Sequence, residues 1–95
     1  MEKRNTVTQA QIENLVKESL IEYTTLGDRT TLVRMILPNG FELIEASSCV
    51  DPANYDVEIG REVAMNKIVE HLWELEGYRL ACELHERKKK DGPDV

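Results

Sequence analysis

Aromatic side chains are scarce in this chain of 95 residues, which has one Trp, one Phe and three Tyr, or 5% of the total. A domain of this length buries only about two thirds of the surface that its unfolded chain exposes. Because few large rings are available to fill the interior, we expect a thin core of aliphatic side chains. Some apolar surface should remain for contacts between subunits, so a homo-oligomer is expected.

Long apolar runs are also missing from the sequence. No segment approaches the roughly 20 apolar residues that span a bilayer, and no apolar stretch follows the charged N-terminus as it would in a signal peptide. These absences exclude the membrane and secretory classes of protein. We therefore expect a single domain, residues 1–95, in the cytoplasm.

Positive charge is in deficit, with 12 Lys and Arg against 18 Asp and Glu and a formal net charge of −6. Non-specific affinity for nucleic acid comes from Lys and Arg that displace counterions from phosphates. The composition therefore excludes non-specific nucleic-acid binding. A small anionic ligand remains compatible with it wherever basic residues cluster locally.

Cysteine is limited to Cys49 and Cys82. In a reducing compartment both are expected to be free thiols. A structural zinc site takes four ligands in two close pairs, whereas Cys82 and His85 are the one such pair here. We predict neither a metal site nor a cofactor.

The N-terminal part of the chain, residues 7–23, has the pattern of an amphipathic helix. Thr8 followed by Gln11 is the signature of a capping box. Apolar residues then recur at helical spacing: Ile12, Leu15, Val16 and Leu20.

Residues 30–48 predict a β-hairpin closed by Pro38-Asn39-Gly40, in which Gly takes the left-handed position of the turn. Because an isolated hairpin is barely stable in water, its faces should be covered by helices and by further strands or another subunit. If Leu37 faces Phe41 across the turn, then Met35 faces Leu43 and Val33 faces Glu45. Arg34 then lies on the other side of the hairpin, near Ile44 and Glu42.

A long helical segment, residues 52–90, follows the hairpin, and residues 91–95 are expected to be a frayed tail. The helix can begin at an Asp51 cap with Pro52 in its first turn, or after one short turn at an Asp56 cap. From residue 57 to 90 it would span about 50 Å, whereas a compact domain of this size has a radius of gyration near 12 Å. The helix must therefore break, near Gly77, or project from the domain and pack against a partner. The fold class predicted by these elements is α+β.

No set of catalytic residues stands out. Glu58 and Glu62 lie one helical turn apart and could form a hydrolytic site with His71, but the sequence supplies no accompanying nucleophile or ligand set. A solvated helix face explains the two acids better. We expect no catalytic residues and no enzymatic activity.

The junction between hairpin and helix is the best candidate for a binding site. Free N–H groups at a helix start attract anions, Asn54 offers a donor and an acceptor, and Tyr55 or Phe41 offers a ring for stacking. Arg61, one turn further along, and Arg34 on the hairpin could neutralise phosphate. The alternative is a purely structural junction in which these residues cap the helix.

Four stretches, LPNGF, SSCVDPANYD, EIGRE and LWELEGYRL, resemble a family of small tailed-bacteriophage proteins, the phage gene product 49/66 family. The resemblance covers residues 31–84 and leaves the N-terminal helix outside it. Tyr55 stands where proteins of that family often carry Phe. The resemblance implies a non-enzymatic accessory protein in the cytoplasm of the host bacterium, similar to oligomers that sequester the cyclic nucleotide signals of antiphage defence.

The leading functional hypothesis is therefore that the protein binds and sequesters a small nucleotide-like ligand. Sequestration requires affinity and abundance, not stabilisation of a transition state. The alternative is a protein-interaction module, in which the long helix and the acidic surface cover a host or phage protein.

Overall fold

A computed structural model of the chain describes residues 5–90, and the predicted tail, residues 91–95, lies outside this range. The fold is α+β, as predicted from the sequence. A helix and a three-stranded antiparallel sheet in the order β1-β2-β3 are followed by a short 3₁₀ turn and a long helix. The elements are α1 (Gln9–Glu18), β1 (Leu20–Leu26), β2 (Thr30–Ile36), β3 (Glu42–Ser48), the 3₁₀ turn (Pro52–Asn54) and α2 (Val57–Lys90).

Helix α1 begins at the predicted capping box. The Thr8 amide donates to Gln11 Oε1 at 2.8 Å, and the Gln11 amide donates to Thr8 Oγ1 at 3.2 Å. The helix ends at Glu18, so the prediction that it continues to Tyr23 is wrong. The Ser19 hydroxyl closes the last turn by donating to the Leu15 carbonyl at 2.6 Å.

The residues beyond Ser19 form strand β1, which the helical spacing of the sequence concealed. They include β-branched and aromatic side chains, which favour extended structure, and they pair along their whole length with β2, from Leu20 with Ile36 to Leu26 with Thr30. This long-range pairing outweighs the local helical pattern. Gly27, with φ +67°, takes the left-handed conformation in the turn that joins the two strands.

The register of the β2–β3 hairpin is the predicted one. The Leu37 amide donates to the Phe41 carbonyl at 2.8 Å, and Gly40 has φ +90° in the turn. The strand partners match the predicted pairs, Met35 with Leu43 and Val33 with Glu45. Arg34 is paired with Ile44 and bonds to Glu42, as predicted.

We call the sheet face toward α2 the inner face and the opposite one the outer face. On β2, every second side chain is fully buried on the inner face, where α2 and α1 cover it. The core consists of Val33 and Met35 from the sheet, Ala64, Ile68 and Leu72 from α2, and Ile12 from α1. On the outer face, Leu32, Arg34 and Ile36 of β2 remain half-buried.

Helix α2 is continuous through Gly77, so of the two predicted outcomes, a break or a projecting helix, the structure shows the second. The molecule measures 62 × 25 × 20 Å and has a radius of gyration of 17.8 Å, well above that of a compact domain. Side chains from residue 81 to 89 are half-buried or exposed. Arg79, Glu83 and Arg87 support this stretch through ion pairs one turn apart, at 2.9 and 2.7 Å. Within the part of the chain that the structure describes, no helix has the length and apolar composition of a membrane span.

Candidate ligand-binding site

A pocket of about 160 Å³ lies where the end of β3, the 3₁₀ turn and the start of α2 meet. We call it the junction pocket. Asn54 and Tyr55, two of the five predicted site residues, contribute to its wall. The full lining consists of Arg29, Ser47, Ser48, Cys49, Asn54, Tyr55, Asp56, Ile59 and Gly60.

Two aspartates build the helix entrance, and both of the predicted caps are used. Asp51 Oδ1 accepts from the Ala53 amide at 2.9 Å and starts the 3₁₀ turn. Asp56 Oδ1 accepts from the amides of Glu58 at 2.9 Å and Ile59 at 3.3 Å, and so caps α2. A carboxylate therefore already occupies the N–H groups that we expected to attract an anion. Phosphate binding directly at the start of α2 is disfavoured.

Tyr55 fastens the helix entrance to the sheet. Its hydroxyl is within hydrogen-bond distance of Thr31 Oγ1, at 2.6 Å, and of Thr25 Oγ1, at 3.2 Å. Thr31 is fully buried, and the bond with Tyr55 satisfies its hydroxyl. A Cβ atom added at Gly60 would overlap the Thr31 side chain, so only glycine allows α2 this close an approach. Tyr55 is half-buried and lines the pocket, while its hydroxyl is used in the hydrogen bonds to the sheet.

Arg61 lies on the β1 side of the entrance and is absent from the pocket lining. Its guanidinium carbon is 4.6 Å from the centre of the Tyr23 ring, a cation–π contact. Its Nη1 atom is 3.9 Å from Glu58 Oε1. The Arg61 side chain is 44% exposed.

Arg34 is placed on the outer face of the sheet, away from the junction pocket. Its Nη1 donates to Glu22 at 2.8 Å, and its Nε and Nη2 donate to the two carboxylate oxygens of Glu42 at 2.9 and 3.0 Å. These bonds to Glu42 and Glu22 raise the pKa of Arg34. In turn, the hydrogen bonds from Arg34 lower the pKa of Glu42. The structure thus uses Arg34 in a cross-strand ion pair.

Phe41 is also distant from the junction pocket. It follows the turn at the opposite end of the hairpin and is 52% exposed. Five residues of β3, 42–46, separate it from Ser47 in the pocket lining, a distance of about 20 Å at the rise of an extended strand. Of the five predicted site residues, the structure brings Asn54 and Tyr55 together in the pocket wall. It places Arg61 against Tyr23, outside the pocket lining, and leaves Arg34 and Phe41 elsewhere.

Arg29 is the lining residue that sequence reasoning missed. It lies in the β1–β2 turn, and its Nη1 donates to the Val50 carbonyl at 2.8 Å while its Nε donates to Asp28 at 3.3 Å. It is the one Lys or Arg among the described lining residues. No local motif marks it, because the pairing of β2 with β3 brings its turn to the helix entrance.

The other polar candidates have partners of their own. His71 Nε2 is 2.8 Å from Glu45 Oε2, which ties α2 to β3, and Glu58 is turned toward Arg61. Both cysteines are free thiols. Within residues 5–90, no three His, Cys, Asp or Glu side chains are grouped as a metal site would require.

Comparison with known proteins adds one finding. No curated protein and no solved structure matches the chain significantly. The model of the Phage protein (N4 Gp49/phage Sf6 gene 66) family matches residues 7–84. The match includes α1, which the resemblance of the sequence motifs had left outside the family. It extends over most of the chain and includes all three strands, the junction pocket and most of α2, so the protein belongs to this phage protein family.

Proposed function

We propose that this phage protein binds and sequesters a small nucleotide-like ligand at the junction pocket, without converting it, in the cytoplasm of the host bacterium. The observation that carries the proposal is the convergence of polar side chains from three separate segments. Arg29 from the β1–β2 turn, Ser47 and Ser48 from the end of β3, and Asn54 from the 3₁₀ turn all line one pocket. The Ser48 hydroxyl is within hydrogen-bond distance of Thr30 Oγ1, at 2.8 Å. The polar groups of Arg29, the two serines and Asn54 match the phosphate, ribose and base edges of a nucleotide.

The size of the junction pocket favours a site completed by another subunit. Pockets for drug-sized ligands measure about 300–1,000 Å³, whereas this one has a volume of about 160 Å³. It has room for one portion of a nucleotide. A homo-oligomer would supply the remaining contacts, and Arg61, which follows the lining residue Gly60 in sequence, would offer positive charge at its margin.

The revised site therefore consists of Arg29, Asn54 and the Tyr55 ring, with Arg61 at the margin. Asn54 is exposed, and its side chain is able to donate and accept toward a base or sugar. Arg34 and Phe41 leave the proposed site because of their positions in the fold.

Native mass spectrometry of protein purified from bacterial cells is the first experiment, because it reports the number of subunits and any co-purified small molecule together. Calorimetry with a panel of cyclic dinucleotides and cyclic trinucleotides then measures affinity. We expect Asn54→Ala to weaken binding about tenfold, since a lost hydrogen bond to a ligand costs about 1.5 kcal/mol. Arg61→Ala should weaken it by a similar factor.

Two matched controls are available on α2. Asn66→Ala removes an exposed amide from another part of the same helix, and Arg79→Ala removes an exposed guanidinium that also pairs with glutamate. Both should leave affinity unchanged. The proposal fails if no nucleotide of the panel binds and none co-purifies, or if Asn54→Ala binds as tightly as the wild type.

A protein-interaction module is the second candidate, and the exposed apolar side chains of α2 favour it. Trp73 is 39% exposed and Tyr78 is 73% exposed. In this case one partner protein should bind in a fixed stoichiometry, and its binding should require both the Trp73 and the Tyr78 side chains. Tyr78→Ala should then abolish the complex and leave nucleotide affinity and subunit number unchanged.

A further inference from the structure

Strand β1 ends the sheet with an unpaired edge. It has one neighbour, β2, and none of the described residues donates to or accepts from the backbone atoms on its other side. Six of its seven side chains are exposed. An unpaired edge of this kind presents a row of N–H and C=O groups that can pair with another strand.

Two observed bonds show which residues of β1 face this edge. The Leu37 amide donates to the Phe41 carbonyl, and the Cys49 amide donates to the Arg29 carbonyl. In an antiparallel pair, hydrogen-bonded and non-bonded positions alternate. Odd-numbered residues of β2 therefore bond to β3, and its even-numbered residues bond to β1.

Even-numbered residues of β1 are paired with even-numbered residues of β2. The N–H and C=O groups of these β1 residues therefore bond to β2. The N–H and C=O groups of Ile21, Tyr23 and Thr25 consequently point away from it. These three residues supply the hydrogen-bonding groups of the free edge.

The opposite edge of the sheet, on β3, is protected. Its outward-facing residues include Ala46, and Lys67 of α2 donates to the Ala46 carbonyl at 2.8 Å. A lysine over an edge strand is a common device against edge-to-edge pairing. β1 has no proline and no lysine, and its one charged residue is Glu22.

We propose that β1 pairs antiparallel with β1 of a second copy of this chain, about a two-fold axis at Tyr23. Tyr23 then forms a hydrogen-bonded pair with the partner subunit's Tyr23, and Ile21 forms one with the partner subunit's Thr25. With the symmetric counterpart, three residue pairs form and the two sheets become one sheet of six strands. The pairing requires no ligand, so its tests do not depend on nucleotide binding.

The side chains single out this register. With the axis at Tyr23, all seven residues are paired, Leu20 lies opposite the partner subunit's Leu26, and Glu22 lies opposite the partner subunit's Thr24. An axis at Glu22 would set two glutamates face to face, which is destabilising. An axis at Thr24 would leave Leu20 without a partner.

Disulfide trapping tests the register directly. The two native cysteines are first replaced, by Cys49→Ser and Cys82→Ser, so that each variant contains one cysteine. Residues that face each other in a hydrogen-bonded pair have Cα atoms about 5.5 Å apart, within the range that a disulfide bridges. The Tyr23→Cys variant should therefore form a covalent dimer under mild oxidation. The Thr25→Cys variant is the matched control, since its two thiols would start from positions about 14 Å apart.

We expect Tyr23→Cys to cross-link at least tenfold faster than Thr25→Cys on a non-reducing gel. Equal rates at the two positions, or no cross-linking at either, would overturn the proposed register.

Sedimentation velocity of the ligand-free wild type gives an independent readout, with a species of twice the chain mass expected in the micromolar range. Tyr23→Pro removes an edge N–H group that makes no bond within the sheet, so the circular dichroism spectrum should be retained and the dimer weakened at least tenfold. A wild type that stays monomeric, or a folded Tyr23→Pro variant that dimerises normally, contradicts the proposal. If Tyr23→Pro is unfolded, the cross-linking rates decide.

Discussion

The inner and outer faces of the sheet use the same three strands but differ in what covers them. On the inner face, Val33 and Met35 have no exposed surface, because α1 and α2 pack over them. On the outer face, Leu20 is 67% exposed and Ile44 is 56% exposed. A ladder of ion pairs centred on Arg34 runs between these apolar residues.

This difference shows where the stability of the protein resides. Close packing on the inner face removes apolar area from water, whereas exposed ion pairs contribute little because water and salt screen them. A substitution on the inner face should therefore cost far more than a similar one on the outer face. The predictions below test that contrast.

The largest effect is expected for Met35→Ala. Truncation of a fully buried aliphatic side chain costs about 2–5 kcal/mol, because the surrounding residues collapse only partly into the cavity. Denaturant titration measures this free energy of unfolding. Ile44→Ala, on the outer face, is the control and should cost less than about 1 kcal/mol. Equal losses at the two positions would refute the contrast between the faces.

Gly60→Ala and Gly77→Ala should change stability in opposite directions, although both lie in α2. At Gly60 the added methyl group meets the Thr31 side chain, and overpacking costs about 1–3 kcal/mol. At Gly77 nothing lies within 4 Å, so the higher helix propensity of alanine should stabilise α2 by up to about 1 kcal/mol. Thermal unfolding of both variants checks the signs, and a stabilised Gly60→Ala would show that α2 does not approach the sheet so closely.

Tyr55→Phe should destabilise the protein by about 1–2 kcal/mol, because the buried Thr31 hydroxyl loses its partner. The double variant Tyr55→Phe with Thr31→Val removes both polar groups. It should recover most of the loss, since replacing both partners by apolar groups is nearly neutral. Urea unfolding of the two single variants and the double variant completes the cycle; simple addition of the two single losses would show that the hydroxyls are not coupled.

The smallest effect concerns pH and belongs to the outer face. Hydrogen bonds from Arg34 lower the pKa of Glu42 in the folded state, so the pair stabilises the protein at pH values above the ordinary glutamate pKa of about 4.3. This contribution is lost as the pH falls through the lowered pKa, where Glu42 becomes protonated. The difference in melting temperature between wild type and Glu42→Gln should therefore be small at neutral pH and vanish in acid. A difference that grows in acid would contradict the sign.

Local patterns in the sequence predicted much of the fold. The turn at residues 38–40 and the alternation of apolar residues placed every partner of the β2–β3 hairpin, and the capping box placed the start of α1. Strand β1 was missed because Leu20 continues the helical spacing of α1, while the pairing that makes it a strand involves β2. The sequence left a break near Gly77 and a projecting helix as alternatives, because the cost of one glycine, about 1 kcal/mol, is small against the rest of a 34-residue helix.

The candidate site was predictable only where its residues are close in sequence. Asn54 and Tyr55 lie beside the helix cap, so local reasoning reached them. Arg29 is brought there by strand pairing, and the alternation along β2 turns Arg34 toward the outer face. Which face α2 would cover depends on the whole chain, and no short motif encodes that choice.

Helix α2 is one uninterrupted element in two environments. Ala64, Ile68 and Leu72 hold its first half in the core, while side chains from residue 81 to 89 border on solvent. Helix ends fray, and packing against a core resists local opening. Amide protons along α2 should therefore exchange with deuterium over a wide range of rates. The free energy of local opening should therefore fall along α2 from its packed first half to its C-terminal end. The C-terminal end can open and close while the first half stays folded.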